Sequence, residues 1–218
     1  MRFAVRISVS VVGLIALIAI GATTATAHDG KKHPTPNPES ASGEATSGAK
    51  KDFGIKIGGV FSLIDHLGNP QTDRDYHGGY LLVFFGYADC ESICPVGLKR
   101  MTDAVDVLGE AGDTITPLLI TVDPKRDSPA VLAAEVARIH PRLVCLTGTE
   151  AALVSARKAY NVKVKAVEGE WGKDAVLAHG SFVYLIGKRG EFLTLLPPVF
   201  GADQMAKTIR EYLDAPKS

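Results

Sequence analysis

The sequence lacks an excess of charge of either sign, has few cysteines, and contains no long charged run and no internal repeat. Its 218 residues carry 24 Lys and Arg against 24 Asp and Glu, so the formal net charge is zero. Proteins that bind nucleic acid generally present a basic patch, and this balance therefore points away from a nucleic-acid partner. The three cysteines are an odd number, so at least one is unpaired or all serve another purpose. The length suits one domain with a substantial core, or at most two small ones.

The N-terminus has the three parts of a secretory signal. Arg2 and Arg6 precede an uncharged apolar run at 11–22, and the A-x-A pattern of residues 25–27 follows. The whole apolar stretch, 7–22, is somewhat shorter than the roughly 20 residues that cross a bilayer comfortably. We expect export with cleavage after the A-x-A pattern, and an uncleaved membrane anchor is the alternative. Both place the domain in a periplasmic compartment, where disulfides are permitted.

Composition divides the chain into three parts. Residues 1–27 form the signal peptide or membrane anchor. Residues 28–52 are rich in Pro, Ser, Gly, Ala and Lys and are predicted to be a flexible linker, in which His28 and His33 are interpreted as solvated side chains. Residues 53–218 form the folded domain.

Strand and helix signals alternate through the predicted domain. Strands or hairpins are predicted at 57–70, 80–87, 115–123, 142–148, 162–167 and 181–196, and helices at 95–112, 127–140, 149–160 and 201–213. This order predicts an α/β fold with a mixed central sheet flanked by helices on both faces. The late β-hairpin and the closing helix are typical of a thioredoxin-like layout, here with an N-terminal extension. In that layout a cysteine pair lies where a central strand meets the next helix.

Two cysteines lie at that junction, in "GYADCESICPVG". Pro95 suits a first helical turn, so the helix is predicted to begin near Cys94, where the helix N-terminus lowers a thiol pKa. If the segment is turn-like, the four-residue offset from Cys90 places the Cβ atoms about 5–6 Å apart. A disulfide prefers about 3.8 Å, whereas metal–sulfur bonds of about 2.3 Å suit the wider spacing. The spacing therefore favours a metal clamp over a pure dithiol, without excluding oxidation.

A third ligand is suggested by the position of His179. It lies in "LAHGSFVYLIG", just before the strand that opens the last hairpin. In thioredoxin-like proteins this segment usually carries a cis-proline and faces the cysteines, and here it carries His179 and Gly180 instead. Two thiolates and an imidazole suit copper, in either oxidation state, or zinc.

The chain resembles the Sco/SenC family of copper-binding, thioredoxin-like proteins that help to assemble the dinuclear copper centre of cytochrome c oxidase. The likeness lies in a C-x-x-x-C-P motif, a D-P-x-x-D motif and a late histidine, within residues 58–95, 120–135, 148–164 and 177–192. The resemblance implies that Cys90, Cys94 and His179 are the ligands of Cu(I) or Cu(II). The chain departs from the family at Glu91-Ser92, where Pro-Asp is frequent, and at Ala178, where aspartate is common. Neither departure replaces a ligand.

The resemblance implies a copper metallochaperone that delivers copper to, or helps to insert it into, an oxidase subunit. Other copper chaperones or thiol reductants are further expected partners. The alternative is a thiol–disulfide oxidoreductase in which Cys90 and Cys94 reduce the copper-binding cysteines of a partner. A thiol peroxidase is disfavoured, because no Thr of the kind found beside a peroxidatic cysteine precedes Cys90.

The third cysteine and two aspartates of the D-P-x-x-D motif lie outside the predicted ligand set. Cys145, in a predicted strand, is interpreted as a buried small apolar residue. Asp123 is interpreted as a strand end, and either Asp127 or Ser128 as the cap of the helix that starts at Pro129. The resemblance offers a second hypothesis for these two aspartates, namely a loop that lies near the metal and meets a partner.

Overall fold

The computed structural model describes residues 57–88, 90, 93–167 and 176–215. The predicted signal or anchor and the predicted linker lie outside the described residues. The strands are β1 (Ser62–Asp65), β2 (Pro70–Thr72), β3 (Tyr80–Gly86), β4 (Ile115–Thr121), β5 (Val144–Thr147), β6 (Val164–Val167), β7 (Val176–His179), β8 (Val183–Ile186) and β9 (Phe192–Leu196). The helices are α1 (Ile93–Val107), α2 (Pro129–Ile139), α3 (Glu150–Ala159) and α4 (Ala202–Leu213). None of the helices in these described ranges has both the length and the apolar composition needed to cross a bilayer.

Seven of the described strands form one sheet in the order β2-β1-β5-β4-β3-β8-β9. β3 pairs in parallel with β4, and β4 pairs in parallel with β5. The other neighbours in this sheet are antiparallel. The sheet is therefore mixed, as predicted, and β3 is paired along both of its edges.

The apolar run of β3 is buried because helices cover both faces of the sheet. Phe84 and Phe85 are fully buried and, as neighbours on a strand, point to opposite faces. The Phe84 ring lies against Gly97 of α1. The Phe85 ring lies 5.3 Å, between centroids, from the ring of Tyr160, which directly follows α3. The predicted helix-flanked α/β architecture is confirmed.

Helix α1 begins one residue before Cys94, as its sequence predicts. It ends at Val107, earlier than the predicted residue 112. Gly109 then adopts a positive φ of 60°, a left-handed conformation that commonly ends a helix, and a short 3₁₀ helix follows over Gly109–Thr114. The prediction for the C-terminal end of α1 is therefore wrong by about one turn, whereas the prediction for the end that carries Cys94 is correct.

Helix α2 shows which of two candidate residues caps it. The Ser128 side chain accepts a hydrogen bond from the Val131 N–H, and Pro129 occupies the first helical position. Of the two predicted candidates, Ser128 is therefore the cap and Asp127 is not, because the Asp127 carboxyl group accepts from the Ala88 N–H instead.

A separate two-stranded ribbon carries His179. β6 and β7 pair antiparallel, with Val164 opposite His179. The sequence predicts a strand in the β6 region but assigns none to β7, and it places His179 in a connection rather than at a strand end. The final hairpin is confirmed, with its turn at residues 187–190 and Gly190 at a φ of 81°.

Candidate metal centre

The two cysteines lie at the junction of β3 and α1. Cys94 is in the first turn of α1, and Cys90 precedes that helix. Their side chains are 1% and 5% exposed, respectively, so both thiols are shielded from bulk water. No disulfide joins them in the structure. The junction predicted from the apolar run and Pro95 therefore brings both sulfurs to one buried place.

The two thiols interact directly. A hydrogen bond with the Cys90 thiol, followed by burial, raises the pKa of Cys94 above its usual value, while the Tyr87 backbone N–H hydrogen-bonds to Cys94 and acts in the opposite direction. The expectation that the helix N-terminus lowers this pKa is thus corrected. For Cys94, the hydrogen bond with Cys90 and burial outweigh the effect of the helix N-terminus on the thiol pKa.

His179 reaches the cysteine pair from the end of β7. Its Nε2 atom lies 3.4 Å from the Sγ atom of Cys94. Its Nδ1 atom lies 2.9 Å from the carbonyl oxygen of Gly180. Because a carbonyl can only accept, Nδ1 carries the proton, and Nε2 of the neutral ring presents its lone pair to the sulfur. This is the tautomer in which a histidine binds a metal through Nε2.

Aromatic rings hold the His179 imidazole in place. The rings of Phe84 and Tyr87 each contact it edge to face, with centroids 6.1 Å away in both cases. Phe84 is at the end of the buried strand β3, and Tyr87 starts the segment that leads to Cys90. The same short stretch of chain thus contacts His179 and leads into Cys90.

The three side chains are linked through Cys94. Within the described ranges, no three or more His, Cys, Asp or Glu side chains form a ready-made metal cage. Cys94 nevertheless contacts both Cys90 and His179. Bonds of about 2.3 Å to sulfur and about 2.0 Å to nitrogen, at a tetrahedral angle, separate the two ligand atoms by about 3.5 Å. The observed contact of 3.4 Å between Sγ and Nε2 already matches that separation.

The other cysteine and the other described histidines lie elsewhere. Cys145 is fully buried in β5, and burial raises the pKa of its thiol. This confirms its interpretation as a buried residue. Its backbone N–H donates to Nδ1 of His66. His77 and His140 lie beside Asp73 and Asp106, respectively. Among the described histidines, His179 is the one found against the cysteine pair.

The D-P-x-x-D loop packs against the cysteine segment. Both oxygens of the Asp127 carboxylate accept from the Ala88 N–H, at 3.3 and 3.2 Å. The Arg126 guanidinium lies 5.4 Å from the centre of the Tyr87 ring and also pairs with Asp123. Sequence reasoning singled out the two aspartates but missed Tyr87 and Arg126, whose ring and guanidinium contacts leave no spacing signature.

Comparisons with known proteins agree with one another. A profile of the SCO1/SenC family matches residues 49–214. An SCO2-like protein of Rickettsia typhi is 36% identical over 160 residues, which cover 73% of this chain and 77% of that protein. The copper-bound structure of ScoI from Bradyrhizobium japonicum is 30% identical, with a TM-score of 0.66, and the match covers 72% of this chain and 99% of that one. The copper-bound structure of yeast Sco1 is 32% identical, with a TM-score of 0.69, and the match covers 75% of this chain and 91% of that one.

Proposed function

This chain belongs to the SCO1/SenC family, and we propose that it is a copper metallochaperone that holds copper through Cys90, Cys94 and His179. It delivers this cargo to the dinuclear copper centre of cytochrome c oxidase, or helps to insert it there. The observation that carries the proposal is the contact of 3.4 Å between Cys94 Sγ and His179 Nε2. A thiol–disulfide reaction needs no imidazole at that position, whereas a site for a soft metal ion does.

The donor set fits copper as cargo. Thiolate sulfur is a soft ligand that stabilises Cu(I), and imidazole binds both Cu(I) and Cu(II). The low exposure of both cysteines protects a bound ion from water and from other thiols. The half-buried His179 ring leaves one side of the site closer to solvent. A partner that accepts the ion would approach from that side.

The pairing of the two thiols supports a second candidate function. Cys90 and Cys94 hydrogen-bond to each other, so they are close enough to interact chemically as a redox pair. A thiol–disulfide oxidoreductase that keeps the copper-binding cysteines of a partner reduced would use this pair without His179. Such a protein would exchange electrons with thiol reductants rather than pass on a metal ion.

We place the protein outside the cytoplasm. The basic, apolar and small-residue parts of residues 1–27 support export, with 7–22 as a membrane anchor if cleavage does not occur. The proposed partners are a copper-accepting oxidase subunit and other copper chaperones or thiol reductants. An exported domain would meet the oxidase subunit on the periplasmic side of the membrane.

Complementation of a bacterium that lacks its own family member tests the proposal. The parent protein should restore oxidase activity, and so should Cys145→Ala, whereas Cys90→Ser and His179→Ala should not. If His179→Ala restores activity as well as the parent while Cys90→Ser fails, the chaperone proposal is overturned in favour of the reductase. Immunoblots of each variant keep a loss of protein from being mistaken for a loss of function.

A further inference from the structure

The loop that connects β4 to α2 contains a fully buried acid with an unusual partner. Asp127 is 1% exposed, and burial raises the pKa of its carboxyl group. Arg126, the neighbouring cation, pairs with Asp123 instead. A buried carboxyl group is costly unless hydrogen bonds compensate it. The contacts it does make therefore indicate what it stabilises.

Those contacts lead to the cysteine segment. Asp127 accepts from the Ala88 N–H, and Ala88 lies two residues before Cys90. The Thr121 hydroxyl, which is also buried, donates to Asp127 at 2.5 Å. Thr121 in turn accepts from the Asp123 N–H at 2.9 Å. The carboxyl group is thus fixed on one side by β4 and holds the exit of β3 on the other.

Hydrogen bonds hold three consecutive residues of this exit. The Gly86 carbonyl oxygen accepts from the Val122 N–H at 2.8 Å. The Tyr87 N–H bonds to Cys94 itself, and the Ala88 N–H bonds to Asp127. Of these three bonds, the one to Asp127 can be removed by a substitution that leaves both cysteines and the backbone unchanged.

We infer that Asp127 is a positioning residue for the Cys90–Cys94 pair: its carboxyl group holds the Ala88 N–H and thereby sets the place from which the segment carrying Cys90 approaches Cys94. The inference rests on the proposed function in one respect: the Cys90–Cys94 pair is taken as the functional site, whether it binds copper or exchanges electrons. A capping or purely loop-stabilising role does not account for the contact, because the cap of α2 is Ser128 and the Asp127 carboxyl reaches outside its own loop.

The test measures the equilibrium between the Cys90–Cys94 dithiol and its disulfide in a glutathione redox buffer, with no metal added. Asp127→Ala frees the Ala88 N–H and lowers the effective concentration of one thiol near the other. We expect its disulfide to be about tenfold easier to reduce than that of the parent, a shift of about 30 mV. Asp127→Asn keeps an acceptor oxygen for Ala88 and should stay within about twofold of the parent.

Two further variants separate positioning from general loss of stability. Asp65→Ala removes another buried carboxylate, which accepts from the Leu67 and Asn69 N–H groups at 2.8 Å in the β1–β2 turn, away from the cysteines. It should lower the melting temperature and leave the redox equilibrium within twofold. Thr121→Val removes the hydroxyl that steadies Asp127 and should shift the equilibrium in the same direction as Asp127→Ala, by a smaller factor.

The inference is overturned if folded Asp127→Ala has the parent equilibrium, or if Asp65→Ala shifts it as much. Should Asp127→Ala fail to fold, an unchanged equilibrium in Thr121→Val overturns it instead. Because the measurement contains no copper, it is independent of the proposed function. If the parent protein binds no copper, the chaperone proposal is refuted, but the effect of Asp127→Ala on the dithiol–disulfide equilibrium is unaffected.

Discussion

The Nε2 atom of His179 lies 3.4 Å from the Sγ atom of Cys94, although 85 positions of sequence separate the two residues. The approach is set by the fold, because His179 ends a ribbon strand while Cys94 lies in the first turn of a helix. The Gly180 carbonyl holds Nδ1, and the Phe84 and Tyr87 rings limit rotation of the imidazole. The orientation of the histidine therefore does not depend on a bound ion.

His179→Ala should weaken copper retention while leaving the dithiol chemistry intact. Loss of a group that merely supports a metal ligand typically costs about 10–100-fold in affinity, and a ligand should cost at least as much. Cys90 and Cys94 keep their mutual contact and can still form a disulfide. Competition with a copper chelator measures the first property, and thiol titration after mild oxidation measures the second.

His66→Ala is the matched control, since His66 also lies against a cysteine, accepting from the Cys145 N–H. It should retain copper as the parent does. Equal copper loss in the two histidine variants would argue against His179 as a ligand.

Gly97→Ala should disturb the site indirectly, through the Phe84 ring that packs against His179. A Cβ atom at this position would lie 3.1 Å from the Phe84 ring, which in turn contacts His179. Overpacking of this kind costs about 1–3 kcal/mol of unfolding free energy, measurable by urea denaturation, and should also reduce copper retention. Gly201→Ala, at a position where an added Cβ has open space, should leave copper retention unchanged.

Asp127 predicts a pH dependence of stability. Because burial raises its pKa in the folded protein above the ordinary value of 3.8, its stabilising contribution is greatest below that value and is lost as the pH rises through the folded pKa. Asp127→Asn resembles the protonated form at every pH. The unfolding free energy of the Asn variant relative to the parent should therefore increase from acidic to neutral pH, and a constant difference would contradict the assignment.

The N-terminal segment predicts export. Fractionation of cells that express the full chain, followed by N-terminal sequencing, should find the domain in the periplasm, either starting after residue 27 or retained in the membrane fraction. A full-length soluble protein in the cytoplasm would contradict this prediction.

Much of the fold around the cysteines follows from local sequence patterns. The apolar run of β3 and Pro95 place Cys94 in the first turn of a helix, because buried strands and helix starts have strong local signals. β7 was missed because it is only four residues long and its pairing partner lies earlier in the chain. The pairing of β7 with β6 explains how the backbone at His179 is held in place.

The hydrogen bond of Asp127 illustrates a different limit. From the sequence, Asp127 and Ser128 are equally good candidates for the helix cap, because both residue types often occupy that place. The actual partner of Asp127 is the Ala88 N–H, a backbone group 39 positions away that no residue type marks. The direction of the pKa shift of Cys94 could likewise not be predicted from the sequence, because it depends on how close the Cys90 thiol lies in three dimensions.

The most direct test of the copper site is a copper titration of the reduced domain, followed by its absorption spectrum with Cu(II). The account predicts one copper per chain and an intense sulfur-to-copper charge-transfer band that is lost in Cys90→Ala and in Cys94→Ala and kept in Cys145→Ala. A reduced parent that binds no copper, or a band that survives both site substitutions and disappears with Cys145→Ala, would contradict it.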